Sequence, residues 1–174
     1  MMDYFELFEI PVQLKVNTGL LSQKFFALSK KYHPDYYISN GSEAQAEALE
    51  KSALLNNAWK IFQNPDETIK YVLQSKALLE EEEKYQLPPD FLMEVLEINE
   101  QLMDARQDDD PAVKENIRSV ITGLQNEIYE PVKEIVGGYK EGVTTEKELL
   151  QVKEYYYKKK YLDRIRRQLA EQHD

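Results

Sequence analysis

Cysteine is absent from the 174 residues, which excludes a disulfide framework, a thiolate nucleophile and thiolate ligation of zinc or of a metal cluster by this chain. Glycine (6) and proline (7) are scarce, so little interrupts the helix-favouring Ala, Leu, Glu, Lys and Gln that dominate the composition. No stretch alternates with a period of two and closes in a hairpin turn, so no sheet is expected. The opening Met1-Met2-Asp3-Tyr4-Phe5 lacks the basic and apolar regions of a secretory leader, and no apolar run is long enough to span a bilayer. A soluble cytoplasmic protein without a membrane partner is expected. Basic residues are outnumbered, 22 against 32 acidic, for a formal charge of -10; that argues against general affinity for nucleic acid. What is present suffices for folding: 42% of residues are hydrophobic, enough for one full domain or two small ones.

Residues 3–8 read as a short helix ended by Pro11. Thr18 is placed to cap a second helix whose Leu21, Phe25, Leu28 and Tyr32 form one apolar stripe stopping at Pro34. After a loop at 35–41, Ser42 is placed to cap a third helix carrying Leu55, Ala58 and Phe62 beside Trp59. Asn64-Pro65 supplies a cap and a first-turn proline for a short fourth helix. The two long helices should pack as an antiparallel hairpin covered by the short ones, giving a domain over 1–76. The acids Glu80, Glu81, Glu82 and Glu83, with Pro88-Pro89 after them, read as a solvated linker over 77–88.

Over 89–174 the pattern predicts an antiparallel three-helix bundle. Asp90 is placed to cap its first helix, which runs to about Arg106. A second runs to Gly137-Gly138 with Val113, Ile117, Val120, Leu124 and Ile128 in register. A third starts at Thr144 or Thr145 and carries Tyr155, Leu162, Ile165 and Leu169. The fold class is therefore all-α.

His33-Pro34-Asp35 sits where the second helix meets its loop. By position alone these are an exposed loop-edge histidine, a helix stop and a turn residue. A catalytic His-Asp pair is the weaker option: no nucleophile or metal-ligand spacing surrounds it, and the other histidine, His173, lies in the chain's last residues. The tripeptide, preceded by Phe25 to Tyr32, followed by Leu55-Asn56-Asn57-Ala58-Trp59 and set within this order of helices, resembles the J domain. Asp3-Tyr4-Phe5-Glu6-Leu7-Phe8 and Phe91-Leu92-Met93-Glu94 resemble the HscB family of J proteins, which serve iron-sulfur cluster assembly. The resemblance extends over essentially the whole chain, without the tetracysteine extension of some eukaryotic members.

That resemblance implies a co-chaperone in which His33, Pro34 and Asp35 contact a DnaK/HscA-class chaperone and stimulate its ATPase. It also implies that the bundle binds an IscU-like iron-sulfur scaffold protein through Leu92, Met93, Leu96, Glu97, Glu100 and Tyr161. No enzymatic activity, cofactor or metal of its own is expected. Charge points to the first contact independently. No acid occurs from residue 10 to residue 34, leaving Lys15, Lys24, Lys30 and Lys31 locally unopposed, and such a basic helix in an acidic chain can steer an acidic partner. Lys24, Lys30 and Lys31 are therefore counted with the chaperone-binding residues.

The first bundle helix carries two apolar stripes. Phe91, Val95, Ile98 and Leu102 form one; Leu92, Leu96 and Met103 form a second, roughly 120° round the helix, with Met93 further still. The second stripe is either extra core packing or an exposed recognition patch, and spacing alone favours core. The run Lys158, Lys159, Lys160, Arg164, Arg166 and Arg167, interleaved with Tyr155, Tyr156, Tyr157 and Tyr161, reads as a solvated face balancing acidic helices; RNA binding is its rival. A general J protein that delivers unfolded clients and a small hydrolase using His33 and Asp35 are the remaining functional candidates.

Overall fold

The computed structural model describes residues 3–171. Its order is α1 (Tyr4–Leu7), α2 (Thr18–Lys31), a 3-10 segment (Pro34–Asn40), α3 (Ser42–Gln63), α4 (Pro65–Ser75), α5 (Pro89–Asp108), α6 (Pro111–Tyr129), a 3-10 turn (Glu130–Val132), α7 (Lys133–Gly137) and α8 (Glu146–Glu171). No strand occurs among the described residues, and none of their helices is long and apolar enough to cross a membrane. The chain divides into two compact units, Met1–Lys76 with Tyr139–Val143, and Ala77–Gly138 with Thr144–Asp174. His173 lies outside the described residues.

In the first unit α2, α1 and α4 all pack on α3. Aromatic rings fill the seam: Phe5 lies 4.7 Å from Phe62, Tyr4 stacks on Tyr71 at 4.8 Å, and Phe25 stacks on Trp59 at 4.5 Å. Each fully buried ring of this kind contributes about 1.5–3 kcal/mol over exposure. The Tyr71 hydroxyl donates to Asp3 Oδ1 and accepts from the Tyr4 N–H, tying the first helix to the fourth. Burial pushes its pKa up to about 12.

The bundle core is built from Phe91, Val95, Ile98, Leu102 and Ala105 of α5, Ile117, Ile121 and Leu124 of α6, and Leu162, Ile165 and Leu169 of α8. Ile121 takes the inward place predicted for Val120, which is exposed. The second long helix does not run to Gly137-Gly138. It ends at Tyr129, because Pro131 has no N–H to continue the ladder and its ring crowds the carbonyl four residues back. A 3-10 turn and α7 follow.

Several predicted caps move by one residue or more. Asn17, not Thr18, caps α2 by accepting from Gly19 and Leu20 N–H. Gly41, not Ser42, precedes α3 with φ +99°, a conformation that costs glycine little. The fifth helix starts on Pro88-Pro89, with Asp90 inside its first turn. Asn64 acts as predicted, and of the two threonines at which the last helix was expected to start it is Thr145 that caps it. Asn64 accepts from Asp66 and Glu67 N–H, and Thr145 forms a reciprocal box in which its Oγ1 accepts from Glu148 N–H while Glu148 Oε1 accepts from Thr145 N–H.

The acidic segment is not uniformly a solvated spacer. Glu83 is partly buried, with Oε1 2.8 Å from Lys153 Nζ and Oε2 accepting from the Tyr157 hydroxyl at 2.9 Å. Tyr85 stacks on Tyr157 at 4.5 Å. The Lys153 hydrogen bond holds the Glu83 carboxyl below its ordinary range.

Candidate functional site

Two surfaces hold the predicted site residues, one in each unit. In the first, α2 runs out of hydrogen-bonding continuity at Pro34, and the chain turns rather than frays. His33 caps the following 3-10 segment, its Nδ1 accepting the Asp35 N–H at 3.3 Å. With Nδ1 used as an acceptor, the ring proton belongs on Nε2, which remains a donor. Tyr36 N–H returns to the His33 carbonyl at 3.1 Å. The Tyr37 hydroxyl donates to the Lys31 carbonyl at 2.8 Å, satisfying one of the orphan acceptors at the end of α2. His33 and Asp35 are exposed and Pro34 is half-buried. The turn is thus braced by its own backbone while presenting its side chains outward.

The Asp35 carboxylate lies 3.6 Å from His33 Nδ1, a proximity that belongs to the local cap.

The lysines of α2 are not equivalent. Lys30 and Lys31 are exposed, whereas Lys24 is half-buried and donates to the Glu9 carbonyl at 2.8 Å. Lys24 therefore ties α2 to the turn following α1 as well as contributing charge. Lys31 and Lys51 both sit 5.3 Å from the Tyr32 ring centroid. Exposed apolar residues here escaped the sequence reading, Leu20 and Phe26 of α2 among them. Phe26 is 69% exposed, an aromatic among the lysines. Its signal was the doublet Phe25-Phe26: adjacent helical residues point roughly 100° apart, so with Phe25 on the core stripe Phe26 had to face away.

In the second unit, the two stripes of α5 separate cleanly. Phe91, Val95, Ile98 and Leu102 are buried. Leu92, Leu96, Met103 and Met93 are 43%, 57%, 64% and 72% exposed. The core reading of the second stripe, which spacing favoured, is therefore wrong: the bundle's two other helices cover only one side of α5. Glu97 and Glu100 are exposed on the outward side of the same helix.

Tyr161 of α8 is half-buried and reaches the edge of α5, with its ring 6.2 Å from Phe91 and its hydroxyl accepting from Asn99 Nδ2 at 3.3 Å. Arg164 lies over its outer face at 4.7 Å. The structure thus brings Leu92, Met93, Leu96, Glu97 and Glu100 onto one helix and sets Tyr161 against that helix's flank.

Part of the basic stretch of α8 is held by neighbouring side chains. Lys158 meets Glu154 at 3.6 Å, Lys159 meets Asp163 at 2.9 Å, and Arg166 donates to Gln125 at 3.0 Å. Such contacts suit a face that balances its own bundle. Among the described residues no group of three or more His, Asp or Glu is arranged to hold a metal ion.

Residues 87–170 match the family described as the HSCB C-terminal oligomerisation domain. Over 111 residues, 63% of this chain, the sequence is 32% identical to Co-chaperone protein HscB homologs of Photobacterium profundum and Vibrio parahaemolyticus. The matched stretch spans 65% of each relative, just under two thirds of its length. In structure the chain resembles chaperone HscB from Vibrio cholerae, with a TM-score of 0.79 and 25% identity over 97% of this chain and 96% of that one. It also shares the fold of human co-chaperone protein HscB, with a TM-score of 0.79 and 24% identity over 98% and 81% of the two chains. The sequence match through the bundle and the likeness to a solved HscB along nearly the whole length agree, and the chain is similar to the HscB-type co-chaperones in both sequence and fold.

Proposed function

We propose that this chain stimulates the ATPase of a DnaK/HscA-class chaperone through His33, Pro34 and Asp35, and delivers to it an IscU-like iron-sulfur scaffold protein held on α5. The observation that carries the reading is the exposure of the second α5 stripe. A helix that fills its core with Phe91, Val95, Ile98 and Leu102 still turns Leu92, Met93 and Leu96 to solvent beside Glu97 and Glu100. Fully burying three such apolar side chains contributes about 1.5–3 kcal/mol each before association costs. That suits a contact which must later be released. Glu97 and Glu100 orient a basic partner at the rim, and Tyr161 adds a rigid aromatic flank.

On the chaperone side, Lys30 and Lys31 steer an acidic surface toward α2, with Lys24 adding charge and anchoring the helix. The braced His33-Pro34-Asp35 turn then presents a histidine donor and a carboxylate with little ordering left to do. The chain breaks no bonds itself; it couples arrival of the scaffold to ATP hydrolysis by the chaperone, in the cytoplasm.

The test is steady-state ATP turnover by a DnaK-class chaperone titrated with this chain. Saturable stimulation supports the proposal, and an unchanged rate contradicts it. The methionine-bearing face of α5 also suits unfolded clients, because Met adapts to irregular surfaces. Competition between a folded IscU-like scaffold and a denatured protein separates the readings: delivery of scaffold requires that the denatured chain fail to displace it.

A further inference from the structure

The sequence has no cysteine and four methionines. Two are Met1 and Met2; the other two, Met93 and Met103, are both on α5, and both are exposed. They bracket Leu96, Met93 one turn before it and Met103 two turns after, spanning about 15 Å of helix at 1.5 Å per residue. At roughly 100° per residue Met93 and Met103 point some 80° apart, on either side of Leu96, so both belong to the outward face. With no thiol in the chain to react first, the thioethers are its softest nucleophiles, and exposure leaves these two open to oxidant.

We propose that Met93 and Met103 are modification sites for hydroperoxides, and that their oxidation lowers docking of the scaffold on α5. The inference rests on the scaffold reading of this face given above. In the step, a sulfur lone pair attacks one oxygen of hydrogen peroxide and the O–O bond breaks. The S–O bond forms as the sulfur loses two electrons, and the departing hydroxide takes up the remaining peroxide proton to leave as water. Methionine sulfoxide reductases reverse the change at the expense of a thiol reductant. A sulfoxide oxygen is a strong acceptor, and pressing it against an apolar partner surface without a donor opposes binding. Because both side chains face solvent while Val95, Ile98 and Leu102 hold the core, the bundle itself stays folded.

The test treats the intact protein with hydrogen peroxide, removes the oxidant, maps the added oxygens by peptide mass spectrometry, and titrates an IscU-like apo-scaffold by calorimetry. The expected result is oxygen on Met93 and Met103, scaffold binding weaker by about tenfold, unchanged thermal unfolding, and recovery after treatment with the reductases. Met93→Leu/Met103→Leu, whatever its own affinity, should bind equally before and after peroxide. Oxidised wild type that binds as well as untreated protein overturns this proposal alone. So does a double variant that weakens on peroxide treatment as much as wild type does, or a Met93 or Met103 spared at doses that oxidise free methionine. Untreated protein that does not bind scaffold at all overturns the scaffold reading and this inference with it.

Discussion

Helix α2 turns lysines to solvent with Leu20 and Phe26 and excludes acids, whereas α5 turns leucine, methionine and glutamate to solvent. Both bury a single apolar stripe, so their inward faces follow the same rule; the difference lies outside. A cationic outer face acts at a distance and chiefly raises association rates, an effect weakened by salt. An apolar outer face acts only on contact and chiefly slows dissociation. On the proposed reading, one chain meets one partner by steering and another by burial, using helices that look alike from within.

The largest expected effect comes from the turn at the end of α2. His33→Gln removes the exposed imidazole whose Nδ1 caps the next segment, and should abolish chaperone stimulation while leaving scaffold affinity and thermal unfolding close to wild type. Steady-state ATPase and calorimetry on one preparation check this. A variant that unfolds early would make His33 a structural residue and remove the functional side of the comparison.

Next come the two faces of α5. Ile98→Ala should cost about 2–5 kcal/mol of stability, since it opens a cavity among packed side chains. Leu92→Ala and Leu96→Ala should cost only tenths of that in unfolding, yet weaken scaffold binding by about 1 kcal/mol or more each. Chemical denaturation beside calorimetry would break the distinction if all three variants lost stability alike and bound scaffold normally.

Smaller still is the charge effect. Lys30→Glu with Lys31→Glu should slow chaperone association roughly threefold to tenfold at low salt, with the difference closing as salt rises. Lys24 is spared because it also holds the Glu9 carbonyl. Stopped-flow association rates across a salt series decide; a rate indifferent to salt in wild type removes steering from the account.

The smallest effect concerns Glu83. Its carboxyl is held below the ordinary value of 4.5 by Lys153. Its stabilising contribution is therefore complete above the unfolded-state pKa and lost as pH falls through the lower folded-state value. Thermal unfolding of wild type and Glu83→Gln should differ at neutral pH and converge in acid. A constant difference across that range would contradict the pairing.

Much of the fold was legible in the sequence. Pro34 and Pro65 stop and start helices because their rings forbid continuation and suit the first turn, and Asn64 caps because its side chain reaches two free N–H groups. His33-Pro34-Asp35 stood out through its setting between two helices, which a bare tripeptide would not have supplied. The second α5 stripe was not legible in the same way. A helical wheel gives the direction of Leu92, Leu96 and Met103 but not what lies there, which depends on how far α6 and α8 wrap around α5.

Glu83 failed for a related reason. In a run of four acids nothing local marks the one that meets Lys153 and Tyr157, seventy or more positions away. The break at Pro131 was readable, and the helical register of its neighbours hid it.

Coupling is the central claim, and one measurement addresses it directly: the steady-state ATPase of a DnaK/HscA-class chaperone with this chain, with an IscU-like scaffold, and with both. The expected result is stimulation by the chain alone and a larger rate with both than the two separate stimulations would give. Leu92→Ala/Leu96→Ala should keep the first and lose the excess. A rate with both partners no greater than the separate effects combined, or an excess that survives truncation of the α5 face, would contradict the claim.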